Sequence, residues 1–198
     1  MVSGLARWLL LTLLLSGCAS TPAVRDQFYQ LTASELMPSS QVPLHPGTLL
    51  VTNIAARGFL GGLPIVFRDD EQPSLTQRYD NHLWEQPPAR MLKAQLVRTL
   101  DSAGIFRHVL ADPSGAQIDY RLSGQLTRFE HRPTAQPPTV ALELELTLIE
   151  TSTRRLRLAR RYARQQPTAA STPVAMVAAF NQLVDQVLDE IIADLRKI

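Results

Sequence analysis

The sequence predicts an α+β fold: a mixed, mostly antiparallel sheet with two amphipathic helices packed on it. Three observations carry this expectation. Val140, Leu142, Leu144, Leu146 and Leu148 alternate with Ala141, Glu143, Glu145 and Thr147, the period of two that marks a half-buried antiparallel strand. Met91, Leu92, Leu96, Leu100 and Ala103 recur at helical spacing, as do Val177, Phe180, Val184, Val187, Ile191 and Leu195, so each set forms an apolar stripe on one side of a helix. The segments run strands, helix, strands, helix with mostly short connections between strands, which favours antiparallel pairing in an α+β layer arrangement.

The first elements are not part of that fold. Met1 to Arg7 carries one basic side chain, and Trp8 to Leu15 is an uncharged apolar run, the layout of a secretory signal. A helix from Trp8 to Cys18 would span roughly 15 Å, about half the thickness of a bilayer core. Leu15-Ser16-Gly17-Cys18 resembles the lipobox of bacterial lipoproteins. Small residues before the cut admit the peptidase, and the Cys18 thiol takes a diacylglycerol through a thioether. Cys18 is the single cysteine of the 198 residues, so cysteine serves anchoring and no disulfide can form within the chain. The expected organisation is a signal peptide over 1–17, a lipidated tether over 18–26 and one periplasmic α+β domain over 27–198. The tether from Ala19 to Asp26 reaches at most about 29 Å when fully extended, which holds the body close to the membrane. Neither Ala19 nor Ser20 is the aspartate that retains lipoproteins in the inner membrane under enteric-type sorting, so the expected location is the periplasmic face of the outer membrane.

Within the mature chain, Gln27 to Thr32 reads as a short first strand, followed by a Pro/Ser loop over 37–47. Thr48 to Ile54 is rich in β-branched and aliphatic residues and reads as a second strand. A Gly-rich loop over 57–62 leads to a strand over 64–68, a turn over 69–73 and a strand over 75–84. Pro87-Pro88 opens the first helix and Gly104 ends it. Strands over 105–110, 118–129, 140–148 and 156–162 follow, and Ser171-Thr-Pro173 begins the last helix. A tight loop over 152–154 gives the last hairpin an index sum of 306. Glu145 then opposes Arg161 and Leu144 opposes Tyr162. The same register puts Arg160 opposite Leu146, on the apolar face, a flaw unless a bulge or the sheet edge frees it.

The chemistry-bearing residues form no recognisable active site, and the chain is expected not to be an enzyme. The Gly-rich loop lacks the Gly-Lys-Ser/Thr ending that meets phosphates. His45, His82, His108 and His131 lie on different elements without cysteine ligands, so no metal and no cofactor are expected. No Gly-x-Ser-x-Gly elbow occurs. A formal charge of +2 gives no electrostatic case for nucleic acid. Two features remain as contact candidates. Phe59 and Leu60 sit between Gly58 and Gly61-Gly62 with no core position obviously claiming them, which suits partner binding; the alternative is that Phe59 folds back onto the sheet as a plug. Arg155, Arg157 and Arg161 belong to a basic stretch that could meet anionic headgroups, although pairing with Glu143 and Glu145 is the simpler reading.

In order, Cys18, Phe28-Tyr29-Gln30-Leu31, Leu49-Leu50-Val51, Ile65-Val66-Phe67-Arg68, Trp84-Glu85-Gln86-Pro87, Leu126-Thr127-Arg128-Phe129-Glu130 and the C-terminal amphipathic helix resemble the ABC-type transport auxiliary lipoproteins, the PqiC-like family. The Gly-Gly-Leu-Pro loop before Ile65 departs from the family pattern. The resemblance implies a membrane-anchored accessory of an envelope lipid-transport system that acts by protein binding. Its implied partners are an MCE-domain protein and inner-membrane transporter components, and a homo-oligomer is compatible with it. The alternative is a periplasmic lipid carrier holding an acyl chain between helix and sheet. An envelope hydrolase is a third reading, disfavoured by the missing triad.

Overall fold

The structure is a computed structural model that describes residues 25–32, 42–113, 115–170 and 172–198. The signal peptide, Cys18, most of the tether and residues 37–41 of the loop expected over 37–47 lie outside the described residues. The strands are β1 (Gln27–Tyr29), β2 (His45–Ala56), β3 (Pro64–Arg68), β4 (Thr76–Trp84), β5 (Phe106–Leu110), β6 (Tyr120–Arg132), β7 (Thr139–Glu150) and β8 (Arg155–Pro167). Helix α1 (Pro88–Ser102) separates β4 from β5, and α2 (Pro173–Leu195) closes the chain. The α+β class and the mixed, mostly antiparallel sheet are as the sequence predicts.

Local chemistry sets the helix ends. Pro88 opens α1, where a missing N–H is harmless. Beyond its last turn Gly104 adopts φ +62°, the left-handed conformation in which helices commonly stop. At α2 the Thr172 hydroxyl accepts a hydrogen bond from the Ala175 N–H at 3.2 Å, and Pro173 follows it. The buried side of α2 is wider than the sequence stripe, taking in Met176, Ala179, Leu183, Leu188 and Ile192 as well.

Strand β6 is the hub of the sheet. One edge pairs antiparallel with β7 along its whole length, and β8 continues the sheet as an outer antiparallel strand. The other edge is shared. Tyr120 to Leu126 pair in parallel with β2 from Leu49 to Ala56, and His131 pairs in parallel with Phe67 of β3. The sheet therefore forks at residues 127–130 of β6. One branch is β2 with parallel β5; the other is β3, antiparallel β4 and parallel β1. Long antiparallel ladders hold most of the paired residues, yet four strand contacts are parallel. Short connections did not enforce neighbouring pairs, because β2 and β3 both seat on β6 instead of on each other.

A bulge between Leu126 and Arg128 shifts the alternation of β6. Leu122 and Leu126 before it, and Phe129 after it, face the helices. Gly124 stands where a Cβ would lie 2.7 Å from Leu146 Cδ2 and 3.0 Å from the Glu145 carbonyl, so Leu146 fills its place. The core is one contiguous cluster. Helix α1 lies on β2 and β5, and α2 on β7 and β8. At its centre Trp84, Phe129 and Phe180 pack with ring centroids 4.4–5.5 Å apart. Trp84, which precedes the first helix, is thus fully buried.

The β7–β8 register has the index sum 306 from Thr139 opposite Pro167 to Leu148 opposite Leu158, with Glu145 opposite Arg161 and Leu144 opposite Tyr162. A bulge then shifts the last pairs, Ile149–Leu156 and Glu150–Arg155, by one residue. Arg154 turns the chain at φ +55°. Arg160 does oppose Leu146 on the helix side, and α2 resolves the conflict. The Arg160 Nη1 donates to Asp194 Oδ1 at 2.8 Å, and the Tyr162 hydroxyl donates to Asp194 Oδ2 at 3.1 Å. Further along the same seam Arg164 meets Glu190 at 2.7 Å, and Gln166 meets Gln182 and Gln186. Positions 182, 186, 190 and 194 are four apart, so they share one side of the helix. Running antiparallel to β8, this polar strip matches every second residue of the strand.

Candidate functional site

Where the sheet forks, a cleft of about 330 Å³ opens on the face turned away from the helices. The chain leaves β2 at Ala56, makes a single 3₁₀ turn over Gly58–Gly61 and returns as β3. Gly58 takes φ +59° to start the turn. Phe59 and Leu60 at its tip part company. Leu60 packs against the core cluster, which corrects the expectation that no core position claims it. Phe59 remains 46% exposed, with the Arg78 guanidinium 5.6 Å from its ring centroid, within cation–π range.

The cleft is lined by Arg57, Phe59, Leu60, Val66, Arg68 and Arg128, with Glu130 among them. Alternation puts these groups together: after the β6 bulge Arg128 and Glu130 point away from the helices, as do Val66 and Arg68 of β3. Glu130 is only 3% exposed. A carboxylate so buried is tolerated when its oxygens are paired. Arg128 Nη2 and Nε each lie 2.7 Å from Glu130 Oε1, and Arg68 Nε lies 3.1 Å from Oε2. Arg68 also donates through Nη1 to the Pro73 carbonyl at 2.6 Å.

Of the three arginines assigned to headgroup contact, Arg161 is bound to Glu143 Oε2 at 2.6 Å, and Thr127 donates to Glu143 Oε1 at 2.6 Å. The hydrogen bonds from Arg161 and Thr127 hold the Glu143 carboxyl below its ordinary pKa. Arg157 is 3.9 Å from Glu150, and Arg155 pairs opposite Glu150 in the ladder. Arg161 opposes Glu145 and lies with it on the helix-free face, whereas Arg155, beyond the bulge, shares a side of the sheet with Glu150. Sequence reasoning did not single out Arg57, Arg78, Arg128 or Glu130 as a site. No local signal marked Glu130, which stands among the polar residues Thr127, Arg128, His131 and Arg132 with Phe129 beside it.

A second polar cluster lies one residue beyond Glu130 on β6. The Tyr79 hydroxyl is 2.8 Å from His131 Nδ1. Burial pushes the Tyr79 hydroxyl up to about 12 and the His131 imidazole down to about 4, so a neutral hydroxyl and a neutral ring share this hydrogen bond. His131 Nε2 is buried without a hydrogen-bond partner among the described residues. Among the described residues no group of three histidine, cysteine or acidic side chains is arranged to hold a metal, and no helix is long and apolar enough to cross a membrane.

The model of the ABC-type transport auxiliary lipoprotein component matches residues 29–192. This chain belongs to that family. No curated protein matches the sequence. Among solved structures, a Xanthomonas campestris protein of the DUF330 family is 26% identical with a TM-score of 0.73, over 86% of this chain and 98% of its own. An uncharacterised protein is 21% identical with a TM-score of 0.69, over 87% of this chain and 99% of its own. PelC from Paraburkholderia phytofirmans, crystallised as a dodecamer, shares the fold at 14% identity and a TM-score of 0.51, over 80% of this chain and 94% of its own. As a transport auxiliary lipoprotein, the chain belongs to a family that is not known for catalysis.

Proposed function

We propose that this auxiliary lipoprotein is tethered by lipid on Cys18 to the periplasmic face of the outer membrane and acts by binding protein. Its partners are an MCE-domain protein and inner-membrane components of a lipid-transport system. The observation that carries the reading is Phe59: a large apolar side chain nearly half exposed at the tip of a turn, beside a cationic cleft, on the sheet face opposite the helices. Exposed aromatics flanked by arginine are the usual anchors of protein contacts. The carrier alternative is less well supported, because the space between helix and sheet is occupied by Trp84, Phe129 and Phe180.

The test is capture of the MCE-domain protein of the same envelope system by the full lipidated chain. Phe59→Ala should weaken capture about tenfold, an anchor-sized effect of about 1.4 kcal/mol, with the melting temperature nearly unchanged. Unchanged capture, or capture lost only together with the fold, would refute the role of Phe59. Cys18→Ala should leave an unprocessed precursor that takes up no labelled fatty acid; label entering the variant would remove the anchor, and fractionation with inner-membrane markers would remove the location.

A further inference from the structure

We propose that the cleft at the sheet fork is a carboxylate-binding site that takes an acidic side chain of a partner polypeptide, with an adjacent apolar residue seated against Phe59. This rests on the protein-binding reading above and specifies the chemistry of the segment that binds.

Charge is the first argument. Arg57, Arg68 and Arg128 line the cleft, and Arg78 leans over the Phe59 ring that forms its wall. Glu130 is the one acidic group in that lining, which leaves an excess of three positive charges at the mouth. Neither Arg57 nor Arg78 forms an ion pair among the described residues. Low-dielectric walls focus such an excess toward an incoming anion.

Geometry is the second. The floor already holds a carboxylate between two guanidinium groups, which shows that the spacing of these arms suits that group. Glu130 engages only Nε of Arg68 and Nε and Nη2 of Arg128. Each guanidinium carries five N–H donors in a planar fork matched to a carboxylate. Arg57 and Arg78 at the rim are exposed and free to close on a second carboxylate in the same manner.

Size and polarity select the source. About 330 Å³ is at the lower end of ligand pockets and accommodates one or two side chains, not the acyl chains of a phospholipid. The apolar wall of Phe59, Leu60 and Val66 gives a neighbouring aliphatic side chain a surface that a headgroup would leave unused. The fork supplies the opening: β2 and β3 diverge from one edge of β6, so the crevice is open to a chain lying across it.

Anisotropy of a dye-labelled, end-capped peptide alternating glutamate and leucine, titrated with the full lipidated chain in neutral detergent micelles, tests this. The peptide should bind, and its counterpart with glutamine for every glutamate should bind at least tenfold more weakly. Arg57→Gln with Arg78→Gln should weaken the glutamate peptide at least tenfold without moving the melting temperature. Arg57→Lys with Arg78→Lys, which keeps the charge and removes the fork, should recover only part of the loss. Equal binding of the two peptides, or unchanged binding by the double glutamine variant, would overturn the proposal. So would micelles doped with phosphatidylglycerol that bind through the same arginines when the glutamate peptide does not, since that assigns the cleft to lipid headgroups. If peptide binding fails while partner capture through Phe59 persists, only the carboxylate site falls. If the peptide binds and capture fails, the site stands and the partner assignment falls.

Discussion

Asp194 is the group on which the β8–α2 seam depends, and replacing it with alanine measures that dependence. The side chain is buried, at 7% exposure for the residue, and accepts from the Tyr162 hydroxyl at 3.1 Å and from Arg160 at 2.8 Å, with Lys197 at 3.6 Å. Burial and the Asp194 charge raise the Tyr162 pKa, so the hydroxyl keeps its proton and stays a donor. Asp194→Ala strands that donor in the core, at a cost of about 1–3 kcal/mol. Arg160 is about half exposed and can turn to water, so its lost ion pair adds at most about 1 kcal/mol. The sum is about 1–4 kcal/mol, equivalent to a fall in melting temperature of about 2–16 °C in a domain of this size. Tyr162→Phe removes one hydrogen bond but leaves Asp194 held by Arg160, and should cost about 1 kcal/mol. In that background Asp194→Ala no longer strands a donor, and its cost should fall by at least about 1 kcal/mol. Urea unfolding of the four proteins in this cycle is the assay. Equal cost of Asp194→Ala in both backgrounds would show that the Tyr162–Asp194 bond carries nothing, and the stranded-donor argument would fail with it.

Two further outcomes follow from the core. Trp84→Ala empties a site between Phe129 and Phe180 and should destabilise by about 3–5 kcal/mol, read by denaturant midpoint; a loss below about 1 kcal/mol would mean that the aromatic cluster is not the centre of the core. His131 has its folded pKa depressed to about 4 from 6.5 by burial, so the unfolded chain binds the extra proton as pH falls between these values. Stability present above pH 6.5 should be lost progressively toward pH 4, by an amount on the order of 2 kcal/mol after allowance for partial solvent screening. His131→Asn, which keeps an acceptor for the Tyr79 hydroxyl, should flatten that part of the melting-temperature profile; an unchanged slope would place the proton uptake elsewhere.

Periodicity and end signals in the sequence were enough to place the two helices, the strand over Pro64–Arg68, the Gly104 stop, the Thr172–Pro173 start and the main register of the last hairpin. Each of these depends on interactions between residues close in sequence, or on a period that states which face is buried. The same alternation cannot state which strand will lie alongside, because any edge of matching polarity satisfies it. The fork at β6, its parallel pairings with β2 and β3, and the bulge after Leu126 were decided only when the helices and the sheet competed for the same apolar surface. So was the inward turn of Leu60, since a loop residue is claimed by the core only once a second element stands over it. Arg160 looked misplaced because its partner, Asp194, lies 34 residues away on a helix. The cleft likewise joins Arg57, Arg68, Arg78, Arg128 and Glu130 from segments that approach one another only through the fork. What the sequence determined by itself is the order of elements, their buried faces, the family and the Arg161–Glu143 pairing within one hairpin; tertiary structure decided the charged partners from distant segments, such as Arg160 with Asp194 and Arg68 with Glu130, because these are selected by distance in space and local patterning carries no record of it.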